Sequence, residues 1–176
     1  MPVTDAGPAA DTGAPGDAAL RDLAAALGRA LLAEGMRLAV AESCTGGWIA
    51  KVLTDIPGAS DWFDAGFVTY SNDAKLRMLG VSPATLEAQG AVSEAVVREM
   101  ATGARRAAGT AAAVAVSGVA GPGGGSADKP VGLVWFGFSL GDRDWACRAM
   151  LAGDREAVRR QSVGIALGAL LEALAH

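Results

Sequence analysis

The run Leu38-Ala-Val-Ala-Glu-Ser-Cys-Thr-Gly-Gly-Trp48 constrains this chain more than any other segment. An apolar strand passes through small hydroxyl and thiol residues and two glycines into a pattern of helical spacing. A strand that turns sharply into a helix leaves its turn residues facing open space. It also aims the free N–H groups of the new helix at whatever sits there. A serine at such a turn is well sited as a nucleophile, with an oxyanion hole built from backbone beside it. The plainer reading is an N-cap, in which Ser43 or Thr45 starts the helix.

The flanking pattern places that turn in a mixed sheet. Leu20, Leu23, Leu27 and Leu31 fall at helical spacing over residues 18–34, with Gly35 as the stop. A strand is expected over 36–41, a helix over 45–55 and an aromatic, β-branched strand over 62–71. Asn72 is expected to cap a short helix ending at Gly80. Ser82-Pro83 opens another, with proline at the first helical position. Residues 93–108 form a clear helix and 112–119 a buried strand. Residues 131–140 and 144–151 make a hairpin through Leu140-Gly-Asp-Arg. Asp154 caps a last helix. The expected order, α-β-α-β-α-α-α-β-β-β-α, gives a three-layer α/β/α sandwich around a mixed sheet. Residues 18–176 read as one domain. Residues 1–17, rich in Pro, Gly, Ala and Asp with no apolar period, read as a disordered tail without the basic start and apolar core of a signal peptide.

Composition removes several functional classes. The balance of 19 Asp and Glu against 15 Lys and Arg lacks the basic face of a nucleic-acid groove. No apolar run reaches the ~18 residues of a membrane span. Two distant cysteines, Cys44 and Cys147, form no CxxC motif or disulfide framework, which suits a reducing cytoplasm. The single histidine is the last residue, His176. Triads built on histidine and His-based metal sites are therefore set aside, and the base of a hydrolase would be Lys, Tyr, Asp or Glu.

Three clusters carry candidate chemistry. The first is Glu42-Ser43-Cys44-Thr45-Gly46-Gly47, whose glycines allow close backbone approach as at phosphate- or oxyanion-binding turns. No Gly-Lys-Ser/Thr follows, so ATP use is not implied. Cys44 reads as a packing residue, and Glu42 either orients a neighbour or is a strand-end charge. The second cluster is Thr69-Tyr70-Ser71-Asn72-Asp73-Ala74-Lys75. Lys75 lies about one helical turn past the cap. It reads as a solvated helix lysine, or, if it sits desolvated beside Ser43, as a base of lowered pKa in a Ser-Lys pair. The third is the glycine-rich stretch 117–132. It is either a surface connector or the lining of a crevice, with Gly121, Gly123, Gly124, Ser126 and Lys129 offering an anion site. Arg155, Arg159 and Arg160 fall on one helix face and read as solvated or in surface pairs. Arg155, near the helix start, is also placed to serve an anion. Trp48, Trp62 and Trp135 read as core or rim.

Taken together, Ala41-Glu-Ser-Cys-Thr-Gly-Gly47, Phe67-Val-Thr-Tyr-Ser-Asn72 with Lys75, Gly90-Ala-Val-Ser-Glu94, Ser117-Gly-Val-Ala-Gly-Pro-Gly-Gly-Gly125 with Lys129-Pro-Val-Gly132, and Gly153-Asp-Arg155 resemble the C-terminal domain family of the competence-damage-inducible protein CinA. The motifs occur in family order from about residue 18 onward. For a stand-alone chain of this length, the resemblance implies an amidohydrolase converting nicotinamide mononucleotide (NMN) and water to nicotinate mononucleotide and ammonia. It implies a serine nucleophile with a lysine and a tyrosine nearby, matched by Ser43, Lys75 and Tyr70. Backbone N–H groups from Cys44, Thr45, Gly46 and Gly47 would hold the oxyanion. Ser71, Asn72, the 121–126 loop, Lys129 and Arg155 would face phosphate and ribose. No metal or organic cofactor is required, and the expected partner is a small nucleotide, with a homo-oligomer left open. The competing reading is a non-catalytic nucleotide-binding module linked to competence or DNA damage.

Overall fold

The computed structural model describes residues 13–176. Most of the expected tail, residues 1–12, lies outside the described residues, and Asp17 is already the first residue of a helix. The chain then runs α1 (Asp17–Ala33), β1 (Leu38–Glu42), α2 (Trp48–Thr54), a 3₁₀ turn (Ala59–Asp61), β2 (Phe63–Val68), α3 (Asn72–Leu79), α4 (Pro83–Gln89), α5 (Glu94–Ala108), β3 (Ala112–Gly118), β4 (Leu133–Leu140), β5 (Arg143–Met150) and α6 (Arg155–Leu174). This is the order expected from the sequence, with shifted boundaries. The strand expected over 62–71 covers only Phe63–Val68. The helix expected from Thr45 begins at Trp48. The cap of α3 is Ser71, whose hydroxyl accepts from the Ala74 N–H, and not Asn72.

Five strands form one sheet in the order β2-β1-β3-β4-β5. β1 pairs parallel with β2 and β3, and β4 and β5 continue antiparallel. Alternation along the strands sends residues to two different layers. Leu38, Val40, Val114 and Val116 face α1, α2 and α6 in the larger core. Ala39, Ala41, Ala113 and Ala115 face α3, α4 and α5. The small side chains of that second face let α5 lie close against the sheet. A Cβ on Gly137 of β4 would stand only 2.1 Å from the Val97 carbonyl oxygen of α5. A Cβ on Gly103 of α5 would stand 2.0 Å from the Leu79 carbonyl oxygen at the end of α3, so α3 is drawn in as well.

The connections set the position of the crevice. After β1 the chain crosses through α2 on one face to β2. After β2 it crosses through α3, α4 and α5 on the other face to β3, on the far side of β1. The carboxyl ends of β1 and β3 therefore flank the point where strand order reverses, which is where open α/β sheets take their ligands. Ser43 follows β1 directly, and the glycine-rich loop follows β3.

Candidate active site

The end of β1 places two adjacent polar residues on opposite faces. Glu42 continues the parity of Leu38 and Val40 toward α2 and is fully buried. Its carboxylate accepts from the N–H groups of Gly47 at 3.1 Å, Ile49 at 3.0 Å and Ala50 at 2.8 Å. Glu42 is thus the cap of α2, with its charge at the positive end of the helix dipole. This explains why α2 starts at Trp48: Gly47 stands at the N-cap with φ +99° and supplies no side chain. Glu42 meets neither Lys75 nor open solvent.

Ser43 turns the other way. Its N–H donates to the Val116 carbonyl at 3.0 Å, which carries the β1–β3 pairing one residue further and fixes the turn. Its hydroxyl accepts from the Lys75 ammonium at 3.0 Å. Lys75 also donates to the Thr69 carbonyl at 2.7 Å, with the Tyr70 carbonyl at 3.5 Å. The lysine is buried to 1% exposure, so its reading as a solvated helix lysine is overturned. Ser71 caps α3, the Lys75 N–H donates to the Ser71 carbonyl, and the contact with α5 presses the helix inward. No carboxylate bonds the ammonium among the described residues. Burial therefore goes uncompensated and pulls its pKa from 10.5 down to about 8. A substantial neutral fraction beside a serine hydroxyl is what general-base activation of that hydroxyl needs.

Next to this pair, burial pushes the Cys44 thiol up to about 11, which keeps it protonated and agrees with its reading as a packing residue. The hydroxyls of Thr45 and Thr69 are buried without a hydrogen-bond partner among the described residues. Among the described residues, only part of the expected row of backbone donors is open. The Gly46 N–H donates to the Ser43 carbonyl at 3.1 Å, and the Gly47 N–H is taken by Glu42. Among the described residues, the N–H groups of Cys44 and Thr45 bond no other residue.

Tyr70 and Arg155 link the pair to the rim. Tyr70 is exposed, and its hydroxyl accepts from Arg155 Nη2 at 3.2 Å. Arg155 Nη1 donates to the Gly121 carbonyl at 2.8 Å. It is therefore the Tyr70 carbonyl, and not its hydroxyl, that reaches Lys75. The start of α6, the glycine-rich loop and the β2–α3 connection meet at this arginine. The other anticipated phosphate groups are engaged differently. Ser71 spends its hydroxyl on capping α3. Ser126 closes its own turn by accepting from the Lys129 N–H at 3.1 Å, and the Lys129 ammonium donates to the Gln89 carbonyl at the end of α4. Asn72, Gly123 and Gly124 are exposed.

One residue that sequence reasoning passed over belongs here. Arg159, read as a surface arginine, is half-buried and donates from Nε to the Cys44 carbonyl at 3.0 Å and from Nη2 to the Thr45 carbonyl at 2.9 Å. Its spacing of four from Arg155 was the available signal, since it puts both on one face of α6.

Among the described residues there is no group of three or more His, Cys, Asp or Glu side chains that could hold a metal ion. No helix among them is long and apolar enough to cross a membrane.

The CinA C-terminal domain matches residues 20–174. This chain belongs to the CinA C-terminal domain family. It is 58% identical over 149 residues to the nicotinamide-nucleotide amidohydrolase PncC of Enterobacter agglomerans, covering 84% of this chain and 91% of that protein. It is 54% identical over 155 residues to PncC of Escherichia coli strain K12, covering 88% and 94%. The crystal structure of the competence damage-inducible protein A (ComA) of Klebsiella pneumoniae superposes with a TM-score of 0.87 at 44% identity, covering 89% of this chain and 98% of that one. The crystal structure of the competence/damage inducible protein CihA of Agrobacterium tumefaciens superposes with a TM-score of 0.86 at 43% identity, covering 92% of this chain and 98% of that one.

Proposed function

We propose that this CinA-family chain is a nicotinamide-nucleotide amidohydrolase that converts NMN and water to nicotinate mononucleotide and ammonia by a Ser-Lys mechanism. The observation that carries the mechanism is the Ser43–Lys75 contact, with no carboxylate bonded to the lysine among the described residues. Neutral Lys75 takes the Ser43 proton as Oγ attacks the carboxamide carbon. The oxyanion accepts from the free N–H groups of Cys44 and Thr45. The Lys75 ammonium then returns the proton to the departing amide nitrogen, the C–N bond breaks and ammonia leaves an ester on Ser43. Neutral Lys75 deprotonates a water that attacks the ester, and Ser43 recovers its proton as nicotinate mononucleotide departs. The pair of relatives at 54% and 58% identity, both named for this activity, supports the choice of substrate.

Arg155 is assigned to the substrate phosphate, because it is an exposed guanidinium at the start of α6 whose present partners are neutral oxygens. Tyr70 faces the substrate from the same rim, and a bound nucleotide would release its hydroxyl from Arg155 toward the carboxamide. Two unpaired cysteines suit the cytoplasm, where pyridine nucleotides are recycled.

The test is ammonia release from NMN by the purified protein. Wild type should turn NMN over, nicotinamide riboside should be a far poorer substrate, and Ser43→Ala should be inactive. Binding of NMN without release of ammonia would favour the non-catalytic nucleotide-binding module.

A further inference from the structure

The proposed oxyanion site is held from behind by a single guanidinium. Arg159 donates to two successive carbonyls of the turn after β1, those of Cys44 and Thr45, at 3.0 and 2.9 Å. Its guanidinium carbon also lies 5.3 Å from the centre of the Trp48 ring, which limits its freedom to swing away. α6 packs on the same face of the sheet as α1 and α2, whereas Lys75 comes from α3 on the opposite face. Arg159 therefore draws both carbonyls toward the α6 side.

A trans peptide unit is planar, and its C=O and N–H point in opposite directions. The only cis bond among the described residues is Gly121–Pro122, so the Cys44–Thr45 unit is trans. Its carbonyl belongs to Cys44 and its N–H to Thr45. Holding the carbonyl on the α6 side turns the Thr45 N–H toward the α3 side, where the Ser43 hydroxyl and Lys75 meet. The same contact places a positive charge on the carbonyl end of that amide, which strengthens the N–H at the other end as a donor.

We infer that Arg159 is a positioning residue for the oxyanion, acting through the Cys44–Thr45 peptide without touching the substrate. The inference rests on the amidohydrolase reading of the site. It assigns Arg159 to the chemical step, where charge develops on the carboxamide oxygen, and not to nucleotide binding. Its neighbour Arg160 supplies an internal control. Arg160 also lies over Trp48, at 4.8 Å, but bonds Glu156 and Asp17 and, among the described residues, has no hydrogen bond to the turn.

The experiment compares Arg159→Ala, Arg159→Lys and Arg160→Ala with wild type for NMN turnover, melting temperature and labelling of Ser43 by a fluorophosphonate, whose phosphoryl oxygen needs the same donors. Arg159→Ala should lose about 100-fold in kcat, with KM changed less than about threefold, as expected for loss of one oxyanion donor. Arg159→Lys should recover little of this, because an ammonium cannot bridge both carbonyls in a fixed plane. Added guanidinium ion should restore part of the kcat of Arg159→Ala. Arg160→Ala should melt lower and keep its kcat. Ser43 labelling should slow in Arg159→Ala by a factor similar to the loss in kcat. Wild-type kcat in Arg159→Ala would overturn the inference. So would a loss of kcat that tracks melting temperature across both arginine variants and is not restored by guanidinium. A wild type that fails to hydrolyse NMN but is labelled overturns the amidohydrolase reading, and the labelling rates then decide the role of Arg159. A wild type that is neither turned over nor labelled overturns both.

Discussion

Glu42 and Lys75 are two buried charges separated by the end of one strand, and they have been given opposite surroundings. The Glu42 carboxylate accepts three backbone N–H groups at the start of α2. Among the described residues, the Lys75 ammonium bonds only neutral oxygens: a serine hydroxyl and the carbonyls of Thr69 and Tyr70. Burying a charge is tolerable when dipoles and donors replace the lost water, and it shifts the protonation equilibrium when they do not. The carboxylate side is consequently architecture: it fixes where α2 begins and spends that helix's donors. The lysine side holds an ammonium whose pKa is pulled down to about 8 beside the Ser43 hydroxyl. The proposed mechanism draws its reactivity from the face where the charge is left uncompensated.

The largest expected effect falls on the lysine side. Ser43→Ala and Lys75→Arg should each lower kcat for NMN by about a thousandfold or more, because the first removes the proposed nucleophile and the second the proposed base. Arginine keeps the charge but is not deprotonated at working pH. Steady-state ammonia release on both variants checks this. A Lys75→Arg enzyme with a raised KM and intact kcat would make Lys75 a binding residue.

Glu42→Gln addresses the other side. It removes the charge from three hydrogen bonds at a helix start and should destabilise the fold by about 1.5–3 kcal/mol. The kcat of the folded fraction should fall far less than in Ser43→Ala. Urea unfolding together with activity below the transition measures both. A collapse of kcat with unchanged stability would move Glu42 into the chemistry.

Lys75→Met should behave in the reverse sense, inactive but more stable by about 1–3 kcal/mol at neutral pH, since a methionine of similar length fills the site without a buried charge. The pH dependence gives the sign. Folded Lys75 releases its proton near 8 and the unfolded side chain near 10.5, so the unfolded state holds more protons between those values. Wild-type stability should therefore gain from Lys75 as pH rises through that window, with the full cost of burial present below it. Lys75→Met should lack that increment. Denaturant unfolding at pH 7, 8, 9 and 10 decides the matter, and an identical slope in both proteins would contradict the uncompensated burial.

The element order and the pairing of Ser43 with Lys75 were both legible in the sequence, the first from apolar periodicity and the second from motif resemblance. The depth of Lys75 was not, because it depends on α3 lying against Gly103 of α5, a contact no local pattern records. The role of Glu42 was half legible: Leu38, Val40 and Glu42 share a strand face, but the α2 donors waiting there required the turn geometry. Lys129 carried the charge expected of a phosphate ligand, yet its ammonium reaches the end of α4. Arg159 stood at helical spacing from Arg155, while the carbonyls it holds became visible only once the turn after β1 was folded against α6.

The central claim is that the neutral form of Lys75 activates Ser43, and the pH profile of kcat/KM for ammonia release from NMN tests it most directly. Between pH 6 and 10 the account predicts a rise of about tenfold per pH unit at the acid end. The curve should bend to a plateau near pH 8, where burial places the lysine. A profile that is flat across this range, or that falls as pH passes through 8, would show that catalysis does not depend on a deprotonated Lys75.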